Sequence, residues 1–188
     1  AGYCETETLV IHEGGQVFVF VRAQSVDVRG LLEGEGVIKT LIEIGATGSV
    51  VGNIRYGRIA MAPGGNLSAD VRNIPPELTG DFQMTVAKGR AARVTTSDIT
   101  AFDPDDTAAT LQFQVTRCLN GRVAFADAPG AAVTQFSQVD LNDGRVHFEH
   151  DGSDSISAGF DVIVTDHAGA TSGAARTVNV SVRQAFAA

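Results

Sequence analysis

The chain has 188 residues, which is enough for one or two domains, and 44% of them are hydrophobic, which is enough for a core. Its formal net charge of −8 argues against nucleic-acid binding, because affinity for phosphates comes mainly from Lys and Arg. The sequence also lacks a run of about 18 apolar residues, so it predicts no membrane insertion.

Strand patterns follow one another along the chain, whereas helical periodicity is nearly absent. β-branched and aromatic residues with a period near two predict strands at 15–22, 36–44, 50–56, 82–86, 111–115, 145–148, 160–165 and 177–182. Turn signals rich in Gly, Asn and Asp separate them, at 14–15, 63–66, 120–121, 142–144 and 151–152. Many short strands with frequent turns predict an all-β sandwich or barrel.

The clearest domain boundary lies at Pro75-Pro76. Two consecutive prolines favour an extended connector and are excluded from a central strand. This boundary predicts a small β-rich domain at 1–73 and a second domain at 74–188. The second piece has a suitable size for a β-sandwich of about 100 residues. The first is small for an independent core, so we expect it to lean on its neighbour or on another copy of the chain.

From residue 75 onward, the motifs follow the order of a known family. The most specific segment is FSQVDLNDGRVHFEHDGS at 136–153, which comes after FDPDD at 102–106 and before GFDVIVTD at 159–166. Residues of about 75–184 resemble the cadherin-like repeat of the chondroitin-sulfate-proteoglycan type, found in animal matrix proteins and large bacterial adhesins. The resemblance implies a seven-stranded Greek-key sandwich of the cadherin/immunoglobulin kind, usually in tandem arrays on cell surfaces.

The first half of the chain matches this family poorly. The segment LVIHEG at 9–14 resembles the opening strand of such a repeat, but the FSQxDL and HDGS segments have no counterpart there. Two interpretations stay open: the first domain is a divergent repeat of the same kind, or it is an unrelated β-domain.

Three aspartates within four residues form the strongest candidate site, namely Asp103, Asp105 and Asp106. Hard oxygen ligands at this density suit Ca²⁺, which takes about 6–8 oxygens. The family resemblance implies that such a loop binds Ca²⁺ at the junction between repeats and adds Asp166 as a ligand. Asp151 and Asp154 are supplementary candidates. The alternative is a solvated acidic turn stiffened by its proline.

One residue departs from the calcium-binding pattern. Lys88 stands where cadherin-like repeats often have a glutamate ligand in the opening strand, so the resemblance supports the fold more than it supports calcium. His147 and His150 are three residues apart on a predicted strand and therefore face opposite sides, which favours local hydrogen bonding over joint metal binding. Cys4 and Cys118 form a long-range disulfide, remain buried thiols, or bond to neighbouring chains.

The motifs of common enzymes are missing, including the nucleophile elbow, the zinc-binding HExxH and the phosphate-binding loop. We therefore expect a non-enzymatic structural or adhesive module of a surface protein, secreted or on the cell surface. It is expected to bind other copies or repeats of itself, or a surface protein or polysaccharide. The absence of an initial Met predicts a mature secreted chain or an excised fragment.

Two other functions are compatible with the sequence. The first is a pilus-like filament subunit, whose N-terminal strand at 8–12 completes the sheet of a neighbour. The second is a carbohydrate-binding module. The lack of Trp and the presence of only Tyr3 and Tyr56 weigh against the second function, since sugar sites usually use aromatic platforms.

Overall fold

The structure is a computed structural model, and it describes residues 2–184. These residues form two compact units that divide between Ile74 and Pro75, and each unit has its own hydrophobic core. Strands dominate both units, so the predicted all-β fold class is confirmed. Within the described part of the chain, no helix has the length and apolar character needed to cross a bilayer.

The N-terminal unit is a coil of parallel strands. Its strands are β1 (Gly2–Ile11), β2 (Gln16–Val17), β3 (Val19–Val28), β4 (Leu31–Ile44), β5 (Ser49–Met61) and β6 (Asn66–Asn73). They pair in parallel in the order β1-β3-β4-β5-β6, and β2 lies beside β4. Gly2 is opposite Val19 and Ser49 is opposite Asn66, a spacing of 17 residues, and the other strand pairs have spacings of 15–18, so one turn takes about 17 residues. This geometry defines a parallel β-solenoid.

Alternating side chains and glycine corners explain why the sequence winds in this way. Leu32 and Val50 are fully buried and lie in one column with the half-buried Leu67 of the next turn. At three corners, the N–H of Gly15, Gly48 or Gly65 donates to the carbonyl three residues earlier at 2.8–3.0 Å. The turns of the solenoid therefore share an inward column, and three of the corners share the same glycine turn.

The parallel pairing decides between the two interpretations of the first domain. A divergent cadherin-like repeat requires antiparallel Greek-key pairing, and every strand pair in this unit is parallel. The N-terminal unit is thus an unrelated β-domain. A repeat of about 17 residues, visible in the spacing of Gly48 and Gly65, is the sequence signal that would have indicated it.

Residues 75–184 of the C-terminal unit contain ten strands and one short helix. They are β7 (Glu77–Thr79), β8 (Gln83–Ala87), β9 (Ala91–Arg93), β10 (Thr100–Phe102), β11 (Gln112–Leu119), β12 (Gly121–Phe125), β13 (Gln135–Ser137), α1 (Gln138–Asn142), β14 (Val146–His150), β15 (Ser157–Thr165) and β16 (Arg176–Arg183).

Two sheets of this unit enclose a single core. One sheet has the order β13-β11-β15-β16-β8 and the other β12-β14-β9, while β10 and β7 form a separate pair. Pairing is antiparallel except between β8 and β16. The fully buried rings of Phe148 and Phe160, one from each sheet, stack with centroids 5.9 Å apart. The predicted Greek-key sandwich is confirmed; β7, β9, β10 and β13 have three residues each, and the other six strands have five to nine.

Candidate cation site

Two strand ends of the C-terminal unit bring the predicted aspartates together. Asp103 follows the last residue of β10, and Asp166 follows the last residue of β15. Asp103, Asp106 and Asp166 each offer a carboxylate oxygen within 4.8 Å of the other two. Asp103 and Asp166 are only 4% and 6% exposed. Residues more than 60 positions apart in sequence therefore form one buried acidic cluster.

Backbone N–H groups hold one oxygen of each buried carboxylate. Asp103 Oδ1 accepts hydrogen bonds from the N–H groups of Asp105 at 3.0 Å and Asp106 at 3.3 Å. Asp166 Oδ1 accepts from the N–H of Ala170 at 2.7 Å. These contacts fix the orientation of both carboxylates while leaving their second oxygens free for another partner.

The second oxygens lack any hydrogen-bond partner. Six buried side-chain polar atoms among residues 2–184 are unpaired, and four of them are Asp103 Oδ2, both carboxylate oxygens of Asp105, and Asp166 Oδ2. Burying an unpaired carboxylate oxygen is costly, and native proteins rarely leave such groups unsatisfied. The residues present therefore fit a hard cation that takes oxygen ligands, such as Ca²⁺.

The electrostatics of the cluster point in the same direction. Burial, together with the adjacent Asp103 carboxyl group and the negative charges of Asp103 and Asp106, raises the pKa of Asp105 from 3.8 to about 7. A nearby cation would reverse this effect, because it favours the ionised carboxylate.

His167 joins the cluster from the side, although the sequence analysis did not select it. Its Nδ1 lies 2.7 Å from Asp106 Oδ2, and this hydrogen bond and the charge of Asp106 raise the pKa of His167. Burial raises the pKa of Asp106, but hydrogen bonds with Thr110 and His167 outweigh it and lower the pKa overall. Asp105, Asp106 and His167 form a second group with ligand atoms within 4.8 Å. The sequence feature that could have indicated His167 is its position directly after Asp166.

The two supplementary candidates lie outside both groups. The Asp154 side chain is 97% exposed and forms an ion pair with Lys88, the residue that departs from the calcium-binding pattern. Asp151 accepts a hydrogen bond from the N–H of Ser153 at 2.9 Å and caps its own turn. Lys88 is therefore the partner of an exposed aspartate, and its charge pairs with Asp154.

His150 forms local hydrogen bonds, and the two cysteines are not joined to each other. His150 Nδ1 accepts hydrogen bonds from the N–H groups of Gly152 at 2.9 Å and Gly89 at 3.2 Å. These bonds join two turns, as expected for local hydrogen bonding. Cys4 and Cys118 are free thiols in this structure, the first half-buried and the second exposed.

The FSQVDL motif builds helix α1 beside the acidic loop. Ser137 is the N-cap residue, and it forms a capping box in which Asp140 bonds back to the backbone and hydroxyl of Ser137. Phe136 and Leu141 are buried in the core, and Gln138 is buried with only 4% exposed. The motif that carries the family resemblance is thus a structural support.

A family model described as cadherin-like matches residues 76–182, more than half of the chain. The chain belongs to the cadherin-like family. The predicted repeat at about 75–184 is confirmed, and the C-terminal unit is a cadherin-like unit. A second family model, of bactofilins, is described as polymer-forming cytoskeletal and matches residues 2–72, which make up the solenoid.

Chondroitin sulfate proteoglycan 4 is similar to this chain in three mammals. The Mus musculus protein is 30% identical over 100 residues, and the Rattus norvegicus and Homo sapiens proteins are 29% and 27% identical over the same length. Each match covers 53% of this chain and 4% of the relative. A crystal structure of human CDH23 EC21-23 matches 63% of this chain and 37% of its own, at 15% identity and a TM-score of 0.32.

Proposed function

We propose that the chain is a non-catalytic structural or adhesive module of the cell exterior, and that Ca²⁺ stabilises its cadherin-like unit. The observation that carries the calcium proposal is the set of four unpaired, buried carboxylate oxygens of Asp103, Asp105 and Asp166. Membership of the cadherin-like family and the similarity to proteoglycans support the extracellular setting.

A cation bound to the cluster would have two effects, on charge and on the strand ends. Asp103, Asp106 and Asp166 would hold the ion, and Asp105 would add further oxygen ligands. The ion would supply positive charge that offsets the repulsion between these carboxylates. Because Asp103 follows β10 and Asp166 follows β15, the bound state would fasten the end of one strand to the end of another.

Calcium should raise the unfolding temperature of the cadherin-like unit relative to excess chelator. A ligand that binds only the folded state adds about 2.7 kcal/mol at a concentration 100 times its Kd. Asp103→Asn removes a buried ligand charge and should abolish most of this stabilisation. Asp154→Asn is the matched control, because its carboxylate is exposed and pairs with Lys88, so it should retain the full effect.

Two outcomes would contradict the calcium proposal. One is an unfolding temperature of the unaltered chain that is the same in calcium and in chelator. The other is an equal response to calcium in Asp103→Asn and Asp154→Asn, which would place the effect outside the cluster.

A second candidate function is assembly into filaments through the solenoid. The match to a polymer-forming family favours it, and so does the free side of β6, an outer strand of the sheet that pairs with β5 among the described residues. On β6, the half-buried Leu67 and Val71 extend the apolar column of the core towards this side. An outer strand with unpaired N–H and C=O groups is a template for another chain.

The structure changes the route by which such assembly would occur. Residues 8–12 were expected to be donated to a neighbour, but residues 8–11 already pair with β3 of the same chain as part of β1. We therefore propose stacking of one solenoid on another instead of donation of a free strand.

Stacking through β6 should be sensitive to a charge in its apolar column. Val71→Lys places a cation where a second copy would cover the column, and it should convert assemblies into single chains in analytical ultracentrifugation. Ser68→Lys is the control on the exposed face of the same strand and should leave assembly intact. If the unaltered chain sediments as a monomer at all concentrations, this second function is refuted.

A further inference from the structure

We infer that Gln138 is a positioning residue for the cation site, holding the strand end that carries Asp103 in its binding geometry. The inference rests on the calcium binding proposed above. It gives a specific role to a buried polar residue within the FSQVDL motif.

The side-chain amide of Gln138 reaches across to β10. Its Oε1 accepts a hydrogen bond from the N–H of Ala101 at 2.7 Å, and its Nε2 donates to Asn142 Oδ1 at 2.8 Å. Ala101 is two residues before Asp103 and lies in the middle of β10. A backbone N–H can only donate, so this contact also fixes which end of the amide faces the strand.

This tie supports one side of a very short strand. β10 has three residues and, within residues 2–184, pairs with the three residues of β7. Three-residue strands are weak on their own, and Gln138 supplies the hydrogen bond that a further strand would give. The Asp103 loop therefore starts from a strand end that α1 holds in place.

The same helix also holds the far end of the acidic loop. The backbone N–H of Gln138 donates to the carbonyl of Leu111 at 3.1 Å, and that of Val139 donates to Ala108 at 3.2 Å. These are first-turn N–H groups without a partner inside the helix. Among these three ties, the one to Ala101 is made by a side chain, so a substitution can remove it separately.

Removing the amide should loosen the cluster without removing a ligand. In Gln138→Ala, the N–H of Ala101 loses its acceptor, and the end of β10 is free to shift. Asp103 Oδ1 must keep its place to accept from the N–H groups of Asp105 and Asp106. The cation would then meet four carboxylates in a less constrained arrangement and bind more weakly.

The test makes two measurements. Titration calorimetry gives the calcium affinity, and amide hydrogen exchange is followed with the protein in excess chelator. Gln138→Ala should weaken calcium binding by about tenfold, the factor that corresponds to roughly 1.4 kcal/mol. It should also speed exchange at Asp105 and Asp106. Gln138→Glu keeps an acceptor for Ala101 and should restore affinity to within about threefold of the unaltered chain.

Ser137→Ala is the matched structural control. It removes the N-cap hydroxyl of the same helix and should lower the unfolding temperature, while the Gln138–Ala101 bond and the calcium affinity stay unchanged.

The outcomes separate this inference from the proposed function. Calcium binding by the unaltered chain, with equal affinity in Gln138→Ala, would overturn the positioning role and leave the proposed function standing. Equal losses of affinity in Gln138→Ala and Ser137→Ala would also overturn it, because general destabilisation would explain both. A chain that binds no calcium in any form would refute the proposed function, and this inference with it.

Discussion

At the scale of single residues, Asp105 shows how the cluster behaves without a cation. Its two oxygens are buried without partners, and its neighbours Asp103 and Asp106 are also acidic. In the metal-free chain, a proton on Asp105 relieves this repulsion. The raised pKa of Asp105, about 7, follows from burial and from this repulsion, and it makes the cluster sensitive to pH near neutrality.

The metal-free cadherin-like unit should lose stability as the pH rises from about 5 to 7.5. The pKa of Asp105 is about 7 in the folded chain and near 3.8 when unfolded, so between these values the folded chain binds more protons. Stability gained from this proton is fully present below the unfolded pKa and is lost as the pH rises through the folded pKa. The raised pKa of His167 acts in the same direction.

Denaturant unfolding in chelator at several pH values would measure this slope. Asp105→Asn cannot ionise, so it should show a shallower slope than the unaltered chain. Saturating calcium should flatten the slope as well. Identical slopes in the unaltered chain and in Asp105→Asn would show that Asp105 does not carry a raised pKa.

The residues of the site differ in how far the sequence could predict them. Asp103, Asp105 and Asp106 lie within four residues, so the sequence itself indicates an acidic site. Asp166 was implied by the family resemblance. His167 was missed because its partner Asp106 is 61 residues away, and only the fold brings the two together. The role of Gln138 was hidden for the same reason, since Gln138 lies in α1 and its partner Ala101 lies in β10, 37 residues earlier.

At the scale of elements, the solenoid depends on glycine where neighbouring turns approach closely. Gly34 and Gly52 lie opposite each other in β4 and β5, with φ angles of 139° and 124°. A Cβ atom added to Gly52 would lie 1.9 Å from the carbonyl oxygen of Gly34. This contact leaves no room for any side chain.

Gly52→Ala should therefore destabilise the solenoid much more than Gly14→Ala. Both positions have positive φ, which costs a non-glycine residue about 1–2 kcal/mol. Around Gly14 a Cβ meets nothing within 4 Å, whereas at Gly52 the clash with backbone adds roughly 1–3 kcal/mol. Chemical denaturation followed by circular dichroism would compare them, and equal losses would contradict the role of the close approach.

Strand positions were easier to predict than strand direction. The alternation of apolar and polar residues predicted β4 and β5 approximately, because that pattern reports which face is buried, while the strand predicted at 15–22 covers β2 and only the start of β3. The same alternation occurs in parallel and antiparallel sheets, so it did not reveal that the first unit is a solenoid. The missing information was the spacing of corners such as Gly48 and Gly65, whose distance of 17 residues equals one turn.

At the scale of the whole molecule, the two units have separate cores that are built in different ways. The core of the solenoid is made by stacked columns of Ile, Leu and Val, and that of the cadherin-like unit by facing sheets rich in Phe. The acidic cluster belongs entirely to the second unit. Calcium should therefore act on one unit and leave the other unaffected.

Calorimetry of the full chain should show two unfolding transitions, of which calcium shifts one. A chain limited to residues 75–184 should reproduce the calcium-sensitive transition, because that unit contains its own core and the whole cluster. A single cooperative transition that moves as a whole with calcium would contradict the independence of the two cores.

One turn of about 17 residues is the unit by which the length of the solenoid can change. Duplicating or losing one complete turn would preserve every inward column and every glycine corner, and would alter the height by about one strand spacing of 4.8 Å. Adding or removing a single residue within a strand would instead reverse the faces of all side chains that follow in that strand. The solenoids of related chains should therefore differ in length by whole turns.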